Sequence, residues 1–222
     1  EIVNNTDNVT RGDRDLWDEL LQVVIPKGRN IWAFPDDDSE KLNEVGRSFE
    51  FFVLPENNEA NVKKAMKDGN FFAASRYYKT TDRVGEFEGD GNVPLVTDIK
   101  VDQKANTITV ATDPTRDCRV IEWIADGKVI ATGNTIDLND YEKDLGCYIR
   151  FQMKGSGGVT YSQPFELQYK GRIDKPVPSW ALWVFKTEAG QKFMKFYHSH
   201  SFALGAFIAE KIRILIEDNI KK

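Results

Sequence analysis

Cysteine and histidine are scarce in this sequence, which limits the metal sites and disulfides that it can form. Among 222 residues there are two cysteines, Cys118 and Cys147, and two histidines, His198 and His200. The cysteines are too far apart in the chain for a CxxC metal pair and too few for a dense disulfide framework. The sequence therefore has few nitrogen and sulfur ligands for a metal ion.

Long apolar runs and clusters of positive charge are also missing. The longest strongly apolar stretch, residues 202–209, is much shorter than the roughly 20 residues that span a bilayer. The 30 Lys and Arg residues are outnumbered by 35 Asp and Glu, which gives a net charge of −5. Binding to nucleic acid without sequence preference needs a basic face that neutralises phosphates. The sequence thus predicts neither a nucleic-acid partner nor a membrane span.

Several catalytic and nucleotide-binding motifs are absent as well. The sequence contains no GxSxG nucleophile motif, no P-loop and no GxGxxG fingerprint, and the GSGG run at residues 155–158 falls between two predicted strands. The chain begins at Glu1 without a Met, a basic segment or an apolar leader, which predicts a fragment or a processed product. The compartment of this soluble chain stays open between cytoplasm, bacterial periplasm and secretion.

The composition is that of a folded protein. The first part of the chain, residues 1–82, has an α/β pattern. The sequence is 41% hydrophobic and 12% aromatic, which is typical of a chain that folds around a core. Within residues 1–82, apolar stretches at 1–4 and 31–34 predict strands. Helical spacing at 15–24 and 57–69 predicts the helices that alternate with them.

The composition then changes, and the next part has the pattern of a β-sandwich. Glycine and acidic residues dominate residues 82–92, which predicts a linker or an exposed hairpin. Beyond it, apolar stretches at near-regular spacing predict strands at 95–101, 107–111, 120–124, 128–132, 148–153 and 165–169. Two of the intervening turns, at 126–127 and 155–158, contain the glycine that hairpins favour. We therefore predict an antiparallel sandwich over residues 93–170.

The last segment predicts a helical tail, residues 176–222. It opens with PVPSW, as a linker would, and continues into an amphipathic helix over 203–220. The polar face of this helix is mixed in charge, whereas a helix that lies on a membrane has a basic face. The apolar face therefore predicts packing within the chain or in a homo-oligomer.

Two features of the predicted sandwich resemble immunoglobulin-like folds. Trp123 lies in the middle of a strand before a hairpin, and the DLGCY run at residues 144–148 resembles the D-x-G-x-Y corner of those folds. In that fold the second cysteine follows the tyrosine, whereas Cys147 precedes Tyr148. A Cys118–Cys147 disulfide and two buried thiols both remain open.

The first part of the chain resembles the closing strands of the PHP (polymerase and histidinol phosphatase) superfamily. The resemblance is carried by EIVN at residues 1–4, DLWDELL at 15–21, IWAFPDDDSE at 31–40 and AMKDGNFFA at 65–73. YSQP at 161–164 is similar to the end of a small β domain in several members. The resemblance implies a distorted α/β barrel whose two or three divalent metal ions (Mn, Zn, Fe or Mg) hydrolyse phosphoesters.

The same resemblance implies a set of candidate metal ligands. The family's closing D-x-H motif maps onto residues 38–40, with Glu40 in place of the histidine, so the candidates are Asp37, Asp38 and Glu40. A glutamate in this position favours Mn²⁺ or Mg²⁺, which prefer oxygen ligands. The family's opening H-x-H motif is absent from the N-terminal side. From the residues alone, three acids after a strand also fit a solvated loop or a helix N-cap.

The two histidines form a second, independent candidate. His198 and His200 have H-x-H spacing, and on a strand both rings would point to one side and could share a metal ion. On a helix the same two side chains would diverge and could not chelate together. The segment that precedes them fits either structure, so both interpretations stay open.

These observations lead to an α+β multi-domain prediction with two functional hypotheses. The first is a PHP-like metal-dependent phosphoesterase in its full-length form, of which this chain is an inactive or weakly active C-terminal piece. The second is a non-catalytic binding or assembly module built on the β-sandwich. In either case the apolar surface of residues 1–80 must be covered. We expect the helical tail, a second copy or a missing N-terminal barrel segment to cover it.

Overall fold

The computed structural model describes residues 1–168 and the single position Ala189. The chain divides into two units, Glu1–Asp174 and Lys175–Lys222, and residues 1–168 belong to the first. The predicted helical tail, with His198 and His200, lies outside the described residues. Within the described part, no helix is long and apolar enough to cross a bilayer.

Short strands dominate the first unit. In chain order they are β1 (Val3–Asn4), β2 (Pro35–Asp36), β3 (Ser48–Phe52), β4 (Phe71–Ser75), β5 (Tyr77–Tyr78), β6 (Phe87–Glu88), β7 (Val96–Asp102), β8 (Thr107–Thr112), β9 (Val120–Ala125), β10 (Lys128–Thr132), β11 (Thr135–Asp137), β12 (Tyr148–Gly155), β13 (Gly158–Tyr161) and β14 (Phe165–Glu166). The α-helices within residues 1–168 are α1 (Asp13–Val24) and α2 (Glu59–Asp68). Short 3-10 helices lie at Ile25–Lys27, Leu42–Glu44 and Leu138–Tyr141.

Seven strands form one antiparallel sheet that runs through both predicted segments. Its order is β10-β9-β12-β13-β4-β3, and β14 pairs with β12. The junction is the pairing of β4 with β13, where Ala74 lies opposite Thr160. Strands from the predicted segments 1–82 and 93–170 therefore belong to a single sheet, and both segments lie in a single unit.

The N-terminal segment does not form part of an α/β barrel in the described structure. Strands β3 and β4 pair antiparallel although α2 connects them. Parallel pairing within residues 1–168 is confined to β1 and β2, two residues each. The barrel that the family resemblance implied is not formed, because β3 pairs antiparallel with β4 and β4 continues into the sheet of the sandwich. The architecture is a β-sandwich-like α+β fold.

One face of the seven-stranded sheet is apolar and forms the sandwich core. On β12 this face consists of Ile149, Phe151 and Met153, all fully buried. A three-stranded sheet, in the order β11-β8-β7, covers it and contributes Ile108 and Val110 to the core. Trp123 on β9 is also fully buried there, beside Phe151 at 5.4 Å between ring centroids. The predicted burial of this tryptophan in a sandwich core is confirmed.

The opposite face is covered by α1 and by the β1–β2 pair. Ile2, Trp17 and Leu21 pack in one core cluster with Tyr148 and Tyr161 of the sheet. Much of the apolar surface of residues 1–80 is thus buried against the sheet of its own unit. The prediction had not considered this cover; the tail lies outside the described residues, and cover by a second copy or a further barrel segment stays a prediction. The prediction had assigned those residues and the sheet to separate domains.

Several local predictions are confirmed, with shifted boundaries. The hairpin turns fall where expected, because Lys128 pairs with Ala125 and Gly158 pairs with Gly155. Helix α2 begins after Asn58, whose side chain accepts a hydrogen bond from Asn61 N, and ends at Gly69, whose φ is 75°. The strand predicted at residues 31–34 instead comprises Pro35–Asp36. Proline is tolerated at the first position of a strand, where no N–H is needed.

The features that resembled immunoglobulin folds have other roles. The Tyr148 hydroxyl donates a hydrogen bond to Asp18 of α1 at 2.8 Å, so it joins the helix to the sheet and does not close a local corner. Cys118 and Cys147 are both thiols and form no disulfide. The disulfide alternative is therefore not formed, and Cys147 is buried as a small apolar side chain.

Candidate functional site

Helix α1 connects the two parallel strands, so their carboxyl ends lie at one edge. The pairing sets Val3 opposite Pro35 and Asn4 opposite Asp36. Side chains that follow two adjacent parallel strands converge at this edge, which is where α/β proteins commonly bind ligands. The edge therefore brings together side chains that are far apart in the sequence.

Acidic groups meet at this edge. The Asn4 side-chain amide donates a hydrogen bond to Asp38 Oδ2 at 3.4 Å and also contacts the Glu1 carboxylate. Burial raises the pKa of Glu1 above its usual value, and the negative charges of Asp36 and Asp38 raise it further. Burial also raises the pKa of Glu50, again with a contribution from Asp36. Glu1, Asn4, Asp36 and Asp38 are called the acidic edge below.

Asp37, one of the predicted metal ligands, is engaged in a different interaction. Its carboxylate accepts three backbone hydrogen bonds, from Gly46 N at 2.5 Å and from Arg47 N and Ser48 N at 2.7 Å. These bonds fix the loop that leads from β2 into β3. A carboxylate that already accepts three N–H groups has little capacity left for a metal ion. The role of Asp37 is therefore to hold this loop.

The other two predicted ligands do not complete a metal site. Asp38 is exposed and has a positive φ of 46°. Glu40 is exposed as well, and its backbone N–H donates to the Glu44 carboxylate. Within residues 1–168, no group of three or more His, Cys, Asp or Glu side chains is arranged to hold a metal ion. His198 and His200 lie outside the described residues.

A second polar site lies under α1, on the face of β12 that points away from the sandwich core. Asp18 and Arg150 form a buried ion pair, with Arg150 Nε 2.7 Å from Oδ1 and Nη2 2.5 Å from Oδ2. The Tyr148 hydroxyl donates to the same Oδ1 and accepts a hydrogen bond from Gly127 N at 3.2 Å. The Arg150 guanidinium also lies 5.1 Å above the Trp17 ring. Burial opposes the charge of Arg150, but Asp18 raises its pKa overall.

A second buried ion pair, between Asp7 and Arg14, lies near the first. Arg14 donates to Asp7 Oδ1 at 3.0 Å and to the Ile2 carbonyl at 2.8 Å, and Asp7 also accepts from Lys79 N at 2.9 Å. The Arg14 guanidinium is 5.5 Å from the centre of the Tyr161 ring. Burial raises the pKa of Tyr161, so this phenol stays neutral at physiological pH.

A cleft of about 120 Å³ lies beside the two ion pairs. Its charged lining residues are Arg11, Arg14, Asp15, Asp18, Lys79 and Arg150. Among the lining residues, Arg150 has a buried nitrogen, Nη1, without a hydrogen-bond partner within the described residues, and the same holds for the hydroxyl of Tyr161, which does not line the cleft. We call this feature the polar cleft.

Sequence reasoning missed the polar cleft, although two signals pointed to it. Along β12, the polar side chains of Tyr148, Arg150 and Gln152 alternate with the apolar residues of the sandwich core. On α1, Arg14 and Asp18 belong to the stripe that is buried together with Trp17 and Leu21. Charged residues on a buried helical stripe, together with a strand that has one polar face, predict buried ion pairs.

Comparison with known proteins leaves the family open. No family profile matches the sequence, and no curated protein or solved structure is detectably similar to it.

Proposed function

We propose that this chain is the C-terminal part of a PHP-like metal-dependent phosphoesterase and that its β1–α1–β2 segment contributes the acidic edge to the active site. The supporting observation is the parallel pairing of β1 with β2, which brings Asn4 Nδ2 to 3.4 Å from Asp38 Oδ2. These residues belong to the two motifs, EIVN and DDDSE, that carry the resemblance to the family. Their meeting at one edge is what supports the proposal, and the described residues do not form the barrel that the resemblance also implies.

The described residues do not form a complete metal site. The acidic edge supplies the exposed Asp38 and Glu1, but Asp37 is occupied by backbone amides. A cluster of two or three divalent ions needs more ligands than these. On this proposal the chain by itself is inactive or weakly active, and hydrolysis requires ligands from beyond the described residues.

The alternative is a non-catalytic binding or assembly module. It is favoured by the structural role of Asp37 and by the lack of a metal-ligand group within residues 1–168. On this alternative the acidic edge is a solvated loop whose charges face water.

Hydrolysis assays can separate the two functions. We would measure release of p-nitrophenolate from p-nitrophenyl phosphate in Mn²⁺, Zn²⁺, Fe²⁺ or Mg²⁺. The full 222-residue chain would be compared with a longer polypeptide that includes any sequence encoded upstream of Glu1. We expect hydrolysis by the longer polypeptide and little by the chain. Asp38→Asn should lower the rate about tenfold or more, as loss of even an outer partner of a metal does.

The matched control is Asp98→Asn, which removes the same charge from an exposed position on β7. It should leave hydrolysis unchanged. A longer polypeptide that is inactive with all four metals, or an Asp38→Asn rate equal to that of the control, would favour the binding module.

A further inference from the structure

Strand β7 forms a free edge of the three-stranded sheet. The order of that sheet is β11-β8-β7, so within residues 1–168 β7 pairs only with β8. It has seven residues, whereas the strands at the other ends of the two sandwich sheets, β11, β10 and β3, have three to five. An unpaired strand edge presents a row of backbone N–H and C=O groups that can pair with another chain. Strand β7 is therefore the longest such edge of the sandwich.

An apolar row on the large sheet lies beyond the cover that the three-stranded sheet supplies. Phe72 of β4 packs in the sandwich core with Val96 and Ile99 of β7. Phe51 lies opposite Phe72 in the β3–β4 pair, so both side chains point to the sandwich face. Phe51 is only half-buried, and Val53, two residues further along, is 59% exposed. Neither belongs to the sandwich core.

The two sheets therefore do not end together. At one end of the sandwich, β11 contacts β10. At the other end the large sheet continues to β3, past the apolar row, whereas the small sheet stops at β7. A strand added beside β7 would extend the small sheet towards this row.

The charges along β7 fit a second copy of the same strand. Asp98 and Lys100 are exposed and flank Ile99, the middle residue of the strand. If two copies pair antiparallel about Ile99, the whole strand overlaps and each Asp98 lies opposite the Lys100 of the other copy. Opposite charges in such pairs are favourable, and like charges directly opposite are unfavourable. Registers centred on Asp98 or on Lys100 would set that residue against its own copy.

We propose that β7 is a homodimer interface, in which two copies pair antiparallel about Ile99 and join their three-stranded sheets into one sheet of six strands. Backbone hydrogen bonds along the paired edges provide affinity, as in other cases of strand addition. Charged side chains discourage indiscriminate pairing at an edge, so Asp98 and Lys100 restrict the pairing to one partner and one register. This surface has no residue in common with the acidic edge, so the proposal does not rest on the proposed hydrolysis.

Sedimentation velocity of the full chain measures the association directly. We expect a species of twice the 25.3 kDa chain mass that dissociates towards the monomer on dilution. A chain that stays monomeric at concentrations up to about 1 mM, the range of weak complexes, would overturn the proposal.

Charge reversal on β7 tests the register. Asp98→Lys and Lys100→Asp each place like charges opposite one another at both contacts of the dimer. Each substitution alone should therefore raise the dimer dissociation constant about tenfold or more. In an equimolar mixture of the two variants, each contact of the mixed dimer joins a lysine to an aspartate. The mixture should therefore dimerise about as tightly as the unsubstituted chain.

The matched control is Lys128→Asp, which makes the same charge change at an exposed position on β10, the strand at another sheet end. It should leave the dissociation constant unchanged. Circular dichroism of each variant would verify that it is folded. If the mixture associates no more tightly than either variant alone, or if Lys128→Asp weakens the dimer as much as Lys100→Asp, the assignment of the interface to β7 is wrong.

Discussion

The buried ion pair between Asp18 and Arg150 provides the sharpest test of how α1 is held on the sheet. Asp18 is 2% and Arg150 3% exposed, and two hydrogen bonds join them. Asp18→Asn preserves the shape of the side chain but leaves the guanidinium buried without its counter-charge. Breaking one partner of such a pair typically costs about 3–5 kcal/mol. This cost is large beside a total unfolding free energy of about 5–15 kcal/mol for a domain.

The double substitution separates the cost of an orphaned charge from the net contribution of the pair. Arg150→Met alone leaves the Asp18 carboxylate buried with Tyr148 as its remaining side-chain partner. Asp18→Asn combined with Arg150→Met removes both charges. We expect the combined loss to be smaller than the sum of the two single losses by about 0.5–3 kcal/mol, the coupling found between residues in direct contact.

Urea unfolding followed by tryptophan fluorescence measures these free energies, and Trp17 beside Arg150 reports on the site itself. The matched control is Glu59→Gln, which breaks an exposed ion pair with Lys63 at i, i+4 spacing. It should cost less than about 0.5 kcal/mol. If Asp18→Asn costs no more than this control while the m-value is unchanged, Asp18 and Arg150 are not paired in a buried site and the assigned packing of α1 is wrong.

Two further predictions concern the sandwich core and the start of α1. Trp123→Ala should lower the unfolding free energy measured in urea by about 3–5 kcal/mol, because Trp123 is fully buried. Truncation of the half-buried Trp32 should cost less. Equal losses of free energy would contradict the core assignment. Burial raises the pKa of Asp13 to about 6, above its usual 3.8, so its contribution to stability is present below pH 4 and is lost as the pH rises through 6. Asp13→Asn should therefore flatten the pH dependence of the melting temperature between pH 4 and 7, and an unchanged profile would refute this assignment.

Local chemistry was sufficient to predict many single elements of the fold. Helix α2 has an asparagine cap and a glycine end, and the turns at residues 126–127 and 155–158 have hairpin glycines. Trp123 was predicted in the core because it lies on an apolar strand. In each case the signal lies within a few residues, since caps, turns and side-chain alternation depend on near neighbours.

The candidate sites were predicted less completely. The family resemblance drew attention to Asp37, Asp38 and Glu40, and Asp38 does lie at the acidic edge beside Asn4. The sequence does not show that Asp37 is occupied by the amides of residues 46–48. Its carboxylate reaches them only because the loop between β2 and β3 folds back.

Only the tertiary structure decided which distant segments meet. The pairing of β4 with β13 unites parts of the chain that sequence reasoning had assigned to separate domains. The contact of Asp18 with Arg150, 132 residues apart, creates a buried polar site that no local motif describes. The local sequence around a strand or a charged residue does not specify which distant segment it will pack against. That choice is made by the whole chain, since an apolar sheet face must be covered and a buried charge must be paired.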